Sequence, residues 1–135
     1  MNAKIIYWSA TGNTLDIANK ISKDTNVEAV NVSEITADEA IKYDTLILGC
    51  PAMGAEELEE SEFRPFFDEL KSKLTNQRLF LFGSFGWGGG EWMRNWEEEV
   101  KNANLNLVIN GLISNSDSSD LDESEYNNFI KAILA

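Results

Sequence analysis

Three stretches of the chain have the composition of ligand loops rather than of packed elements. The first is Ser9-Ala10-Thr11-Gly12-Asn13-Thr14, which sets three hydroxyls, a side-chain amide and a glycine just ahead of a helical pattern. A helix start has N–H groups without intrahelical partners and the positive end of the helix dipole, and a glycine lets a ligand approach the backbone. That is equipment for holding a phosphate. The same residue types also cap helices, and the composition of this one loop leaves the two uses about even. The stretch has no Lys or Arg, and neither G-x-x-x-x-G-K-[ST] nor G-x-G-x-x-G is present in it. Neutral dipoles suit a permanently bound phosphate better than a transferred one, whose charge needs cations. The second stretch is Gly49-Cys50-Pro51-Ala52-Met53-Gly54-Ala55-Glu56, and the third is Gly83-Ser84-Phe85-Gly86-Trp87-Gly88, which runs on into two more glycines. Trp87 is too closely flanked by glycine to belong to packed secondary structure. A Trp face can stack on an aromatic ring, and the thioether of Met53 can fill the other side. There is no histidine, which excludes Ser-His-Asp and Cys-His catalysis and histidine-ligated metal sites; no metal site is expected.

The elements that must position these loops follow from hydrophobic periodicity. Short apolar runs at Lys4–Trp8, Val27–Val32, Thr45–Gly49 and Leu79–Phe82 read as strands, and Leu105–Ile113 carries a fifth, interrupted near Asn110-Gly111. Thr45–Gly49 is continuously apolar, as in a strand covered on both faces. Between the strands, Gly12–Lys23, Ala37–Ile41, Phe63–Leu74, Glu91–Ala103 and Glu123–Leu134 read as helices. Trp92 and Trp96 stand at helical spacing and are expected in the core, with Trp8 in the core or beside a strand end. Ser114–Ser124 is a long polar loop. Strands alternating with helices predict an α/β fold, a five-stranded parallel sheet doubly wound by helices on both faces through right-handed crossovers. In such a sheet ligands sit beyond the carboxyl ends of the strands, which is where the three loops lie.

The 135 residues suffice for one domain, 1–135, and 43% hydrophobic residues suffice for its core. The longest apolar runs fall far short of the ~20 residues that span a bilayer, and no basic-then-apolar leader follows Met1. The lone cysteine, Cys50, rules out an internal disulfide and points to a reducing, cytoplasmic compartment. The net charge of −12 repels nucleic acid and acidic membranes and favours basic partners.

Taken together the three loops closely resemble those of the flavodoxins. S-A-T-G-N-T after the strand I-I-Y-W resembles the family's phosphate loop. The Gly49–Glu56 and Gly83–Gly88 stretches resemble the flavin loops of the short-chain, clostridial type. The resemblance runs over essentially the whole chain. It implies a strand order of 2-1-3-4-5 with flavin at the switch point, an order known for this family. It also implies FMN, bound non-covalently, as the cofactor. Ser9, Ala10, Thr11, Gly12, Asn13 and Thr14 would hold its phosphate. Pro51, Ala52, Met53, Gly54, Ala55 and Glu56 would line the ring on one side, and Ser84, Phe85, Gly86, Trp87 and Gly88 on the other. Glu56 would meet the pyrimidine edge at N3; a solvated glutamate in an acidic run is the alternative. In the family the peptide at the position of Gly54 flips, so that its carbonyl accepts from the flavin N5–H formed on one-electron reduction. An ordinary turn glycine is the alternative there. The sequence departs from the pattern at Ala10, at Pro51 where serine is frequent, at Ala55 where aspartate is common, and at Phe85 where tyrosine is usual.

The function the resemblance implies is that of a low-potential one-electron carrier, not an enzyme, shuttling electrons between redox proteins that dock through basic surfaces. A monomer is expected. Acidic stretches at Glu56–Glu62, Glu97–Glu99 and Asp117–Glu125 are expected around the flavin edge, where each would disfavour the added negative charge of reduction. The alternatives are a small FMN-dependent quinone or nitro reductase on the same fold and an interaction module that has lost its flavin. No nicotinamide motif or extra substrate loop supports the first, and intact loops argue against the second.

Overall fold

The computed structural model describes residues 1–135. The elements are β1 (Ala3–Tyr7), α1 (Asn13–Thr25), β2 (Ala29–Asn31), α2 (Ala37–Ala40), β3 (Thr45–Gly49), α3 (Phe63–Lys73), β4 (Arg78–Ser84), α4 (Glu91–Asn102), β5 (Asn106–Leu107), β6 (Leu112–Ser114) and α5 (Glu123–Leu134). The strands form one parallel sheet in the order β2-β1-β3-β4-β5, with β6 also on β4.

Strand periodicity sorts the core into two layers. Ile6, Leu46, Leu48, Leu79 and Leu81 face one way, onto Phe63, Phe67 and Leu70 of α3 and Trp92, Trp96 and Val100 of α4. Ile5, Ile47, Phe80 and Phe82 face the other way, onto Ile17 and Ile21 of α1 and Phe129 and Ile133 of α5. Each central strand is therefore apolar on both faces, which is why Thr45–Gly49 has no alternation. The Trp96 ring meets Phe63 and Phe67 edge-on, with centroids 5.4 and 5.7 Å away. Burying an indole of that size contributes several kcal/mol, on the order of 25 cal/mol per Å² of apolar area.

Two elements differ from the sequence expectation. The second strand is only Ala29–Asn31, because Asn31 and Glu34 form a reciprocal cap that turns the chain into a short 3₁₀ helix at Val32. The fifth strand is split. From Leu79 to Phe82 β4 advances three residues while its partner advances five, from Leu107 to Leu112. The extra residues are extruded around Asn110-Gly111, and the Gly111 N–H donates to the Glu97 carboxylate of α4 at 2.5 Å. A β-carbon at Gly111 would overlap the Met93 side chain, so the extrusion lies tight on α4.

Candidate functional site

The parallel ladder delivers the loops after β1, β3, β4 and β6 to a single edge of the sheet. It also fixes where each one leaves. Trp8 N–H donates to the Gly49 carbonyl at 3.0 Å, Cys50 N–H to Phe82 at 3.1 Å, Ala52 N–H to Ser84 at 2.9 Å and Phe85 N–H to Ser114 at 3.0 Å.

The first loop ends at Gly12, which begins α1 in the left-handed region at φ +97° with no side-chain cap. A side chain there would be strained, so glycine is required. The Asn13 and Thr14 N–H groups have no carbonyl four residues back within the helix and no other backbone acceptor. The Ser9 hydroxyl turns inward and accepts from Gly12 N–H at 3.2 Å and Leu15 N–H at 3.3 Å. Ala10 and Thr11 are exposed on the rim. The result is a cup of backbone donors at a helix N-terminus, electrically suited to an anion. Thr14 is placed otherwise than its neighbours: its side chain is fully buried and its hydroxyl lies 2.8 Å from that of Ser84. What Thr14 leaves to the cup is its N–H.

The second loop is a tight hairpin. Met53 and Glu57 exchange backbone hydrogen bonds of 2.8 and 2.9 Å, and Gly54, Ala55 and Glu56 make the turn between them. Gly54 has φ +51° and Glu56 φ +61°. The left-handed region is unusual for a glutamate, and backbone strain of this kind concentrates at binding sites. The strain is held by α4: the Trp92 N–H, in the first turn of that helix, donates to Glu56 Oε2 at 2.9 Å. The other oxygen, Oε1, is buried with no partner. It rests against Gly88, where a β-carbon would overlap it. A carboxylate with one oxygen bonded and the other without a partner has an acceptor to spare for a donor. Pro51 and Ala52 are half-buried beneath this turn, and Ala55 is exposed.

The third loop leaves β4 at Ser84, whose side chain is buried, and continues through Phe85, which packs on Trp92 at 5.6 Å between centroids. Trp87 follows and is 74% exposed, the most exposed large apolar side chain of the molecule. Trp92 and Trp96, by contrast, are about 1% exposed, as their helical spacing predicts. Ala52, Gly54, Glu56, Gly86 and Trp87 line one cleft. Met53, 36% exposed, stands on the same hairpin. The structure thus brings the second and third loops together around a slot with an aromatic wall and one free carboxylate oxygen. The donor cup lies on the neighbouring strand end.

Cys50 takes no part in chemistry here. Burial pushes its thiol up to about 12, so it stays protonated at neutral pH. No group of His, Cys, Asp and Glu side chains is placed to hold a metal ion. Not all the acidic residues anticipated around the site are free. Glu99 bridges Arg64 and Lys71 between α4 and α3, each at 2.8 Å. Glu59 is buried under the start of α3. Outside those stretches, Asp16 of α1 accepts from the Ser118 N–H and hydroxyl at 2.9 and 2.5 Å. The Glu56–Trp92 and Thr14–Ser84 contacts had no signal in the sequence beyond the glycine at 88, since both join residues far apart in the chain.

The chain matches the family model for flavodoxin over residues 5–129. It is 43% identical to the flavodoxin of Clostridium beijerinckii over 125 residues, 89% of this chain and 91% of that protein. It is 40% identical to the flavodoxin of Megasphaera elsdenii over 116 residues, 82% of this chain and 85% of that one. Its fold superimposes on the solution structure of two-electron reduced Megasphaera elsdenii flavodoxin with a TM-score of 0.86 at 38% identity, covering 97% of this chain and 98% of that one. Oxidised flavodoxin 2 of Bacillus cereus gives 0.79 at 26% identity, with 99% and 98% covered. With a cup of helix-start donors, an exposed indole and an unpaired carboxylate oxygen already gathered at one sheet edge, these likenesses place the chain in the flavodoxin family of FMN-carrying electron-transfer proteins.

Proposed function

We infer that the protein carries one non-covalently bound FMN and passes single electrons between redox proteins. The observation that carries this reading is Trp87, a large apolar ring left 74% exposed on a cleft that it lines together with Glu56, whose Oε1 is buried without a partner. When bound, FMN supplies the redox chemistry, and the protein supplies binding, orientation and electrostatics.

Each part of the chain then has a task. The Asn13 and Thr14 N–H groups, with the Ser9, Ala10, Thr11 and Gly12 turn, hold the phosphate without any cation. The Trp87 ring and the Met53 thioether cover the two faces of the isoalloxazine. Glu56 Oε1 accepts from its N3–H, the one ring N–H that a carboxylate can meet in the oxidised cofactor. Gly54 leaves the hairpin peptide free to present its carbonyl to N5, and Pro51, Ala52, Ala55, Phe85, Gly86 and Gly88 shape the slot, with Ser84 contributing its backbone carbonyl, which holds Ala52.

The charge of −12 steers basic docking surfaces of reductases and oxidoreductases toward the molecule. We place the protein in the cytoplasm as a monomer, in keeping with its single, buried cysteine. No helix is long and apolar enough to cross a membrane. Purified protein should be yellow and release FMN on heating or acidification. It should not oxidise NADH or NADPH unless a reductase is added. Release of FAD, or a colourless protein that ignores added FMN, overturns the reading.

A further inference from the structure

We propose that Ser84 is a positioning residue that sets the phosphate cup from behind, through Thr14. The start of α1 has little nearby to fix it: its N-cap, Gly12, has no side chain, and the Ser9 hydroxyl takes the Gly12 and Leu15 N–H groups at 3.2 and 3.3 Å but neither the Asn13 nor the Thr14 N–H. The anchor for Thr14 itself comes from 70 residues away. The hydroxyls of Thr14 and Ser84 lie 2.8 Å apart, and the two residues are 0% and 5% exposed. In so dry a place a hydroxyl pair is directionally firm, and leaving either member unpaired is costly.

Ser84 is well placed to be an anchor because it is itself held on several sides. It is the last residue of β4, paired in register with Ser114 of β6. Its carbonyl accepts from Ala52 N–H of the second loop at 2.9 Å, and the next residue, Phe85, donates to Ser114 at 3.0 Å. One residue thus meets the first loop through its side chain and the second through its backbone, and it opens the third. The Ser84 hydroxyl holds Thr14, and with it the direction of the Asn13 and Thr14 N–H groups. Its carbonyl, which any residue at this position retains, serves the ring side of the site.

The inference rests on the FMN reading, and comparing FMN with riboflavin tests the two separately, since riboflavin has the same ring and no phosphate. Apoprotein is titrated with each, following quenching of flavin fluorescence. Wild type is expected to bind FMN much more tightly. Ser84→Ala should lose about tenfold of that preference, while riboflavin affinity stays within about twofold. Thr14→Ser, which keeps a hydroxyl, should retain the preference. If Ser84→Ala does not fold, Ser84→Cys is read the same way, because its thiol keeps the volume but is a weak hydrogen-bonding group. A Ser84 variant with the full wild-type preference, or one that weakens both ligands equally, overturns the proposal. A wild-type protein that does not distinguish FMN from riboflavin overturns the cofactor reading, and the proposal with it.

Discussion

An indole that is 74% exposed stabilises nothing in the protein that carries it, so Trp87 and Trp92 make a sharp contrast only a few residues apart. Trp87→Ala should leave the melting temperature of the apoprotein unchanged, weaken FMN binding by ~1–3 kcal/mol and restore flavin fluorescence in the complex. Trp92→Ala should cost ~3–5 kcal/mol of stability before any question of binding arises, since the ring is buried and its N–H donates to the Cys50 carbonyl at 3.1 Å. A melt and a flavin titration of each variant check this, and similar melts for the two would contradict the assignment. The glycines can be ranked in the same way. Gly86 has neither a positive φ nor any atom near a would-be β-carbon. Gly54 has open space but φ +51°, and Gly88 has φ +91° and the Glu56 carboxylate in the way. A β-carbon in the left-handed region costs roughly 1–2 kcal/mol. FMN affinity should therefore fall least for Gly86→Ala, more for Gly54→Ala and most for Gly88→Ala, where Glu56 must also leave the start of α4. Since Gly54 is left-handed in the hairpin itself, its substitution should strain the turn directly.

At the scale of elements, the second loop depends on how α3 begins. Glu59 is 5% exposed, and its carboxylate accepts from the Ser61, Glu62 and Phe63 N–H groups, each at 2.8 Å, and from the Ser61 hydroxyl. It stands in for the cap that Glu62 does not provide. Burial alone would raise its pKa, but the hydrogen bonds from Ser61, Phe63 and Glu62 outweigh that and hold it below the ordinary value of 4.5. The folded form therefore favours the ionised carboxylate. Its contribution is full above the unfolded value and is lost as pH falls through the lower, folded one. Glu59→Gln should reduce stability by ~1–3 kcal/mol at pH 7 and flatten the acid limb of the stability curve. An unchanged acid limb would show that the cap contributes nothing. Glu99 works alike between elements. Burial disfavours its charge, yet Lys71 and Arg64 more than compensate and keep it ionised, tying α4 to α3.

For the whole molecule the governing quantity is 23 acidic against 11 basic side chains. Such an excess repels itself, and the repulsion acts over a Debye length of ~30 Å at 0.01 M salt but only ~8 Å at 0.15 M. Added salt should raise the melting temperature of the apoprotein while slowing electron transfer to a basic partner. Stopped-flow rates and thermal melts over one salt series test both. Rates indifferent to salt would remove electrostatic steering from the account of docking.

Much of this architecture was legible before any coordinates, because periodicity and loop chemistry are local properties. The apolar run Thr45–Gly49 requires cover on both faces wherever it lies, and the alternation of such runs with amphipathic helices leaves a doubly wound parallel sheet as the economical solution. The glycines around Trp87 likewise announced an indole that no helix or strand would bury. Contacts between distant segments were another matter. That the Thr14 hydroxyl turns inward to Ser84, that Glu56 is caught by the Trp92 N–H, and that Glu59 goes under α3 while Glu56 keeps an unpartnered oxygen are all consequences of how the elements dock. The break in the last strand belongs with them. Asn110-Gly111 marked the place, but the two-residue slip shows only in how β5 and β6 pair with β4. Residue type decides what a side chain can bond. Only the packed fold decides which of several like groups, five glutamates between 56 and 62 among them, finds a partner and which is left free for a ligand.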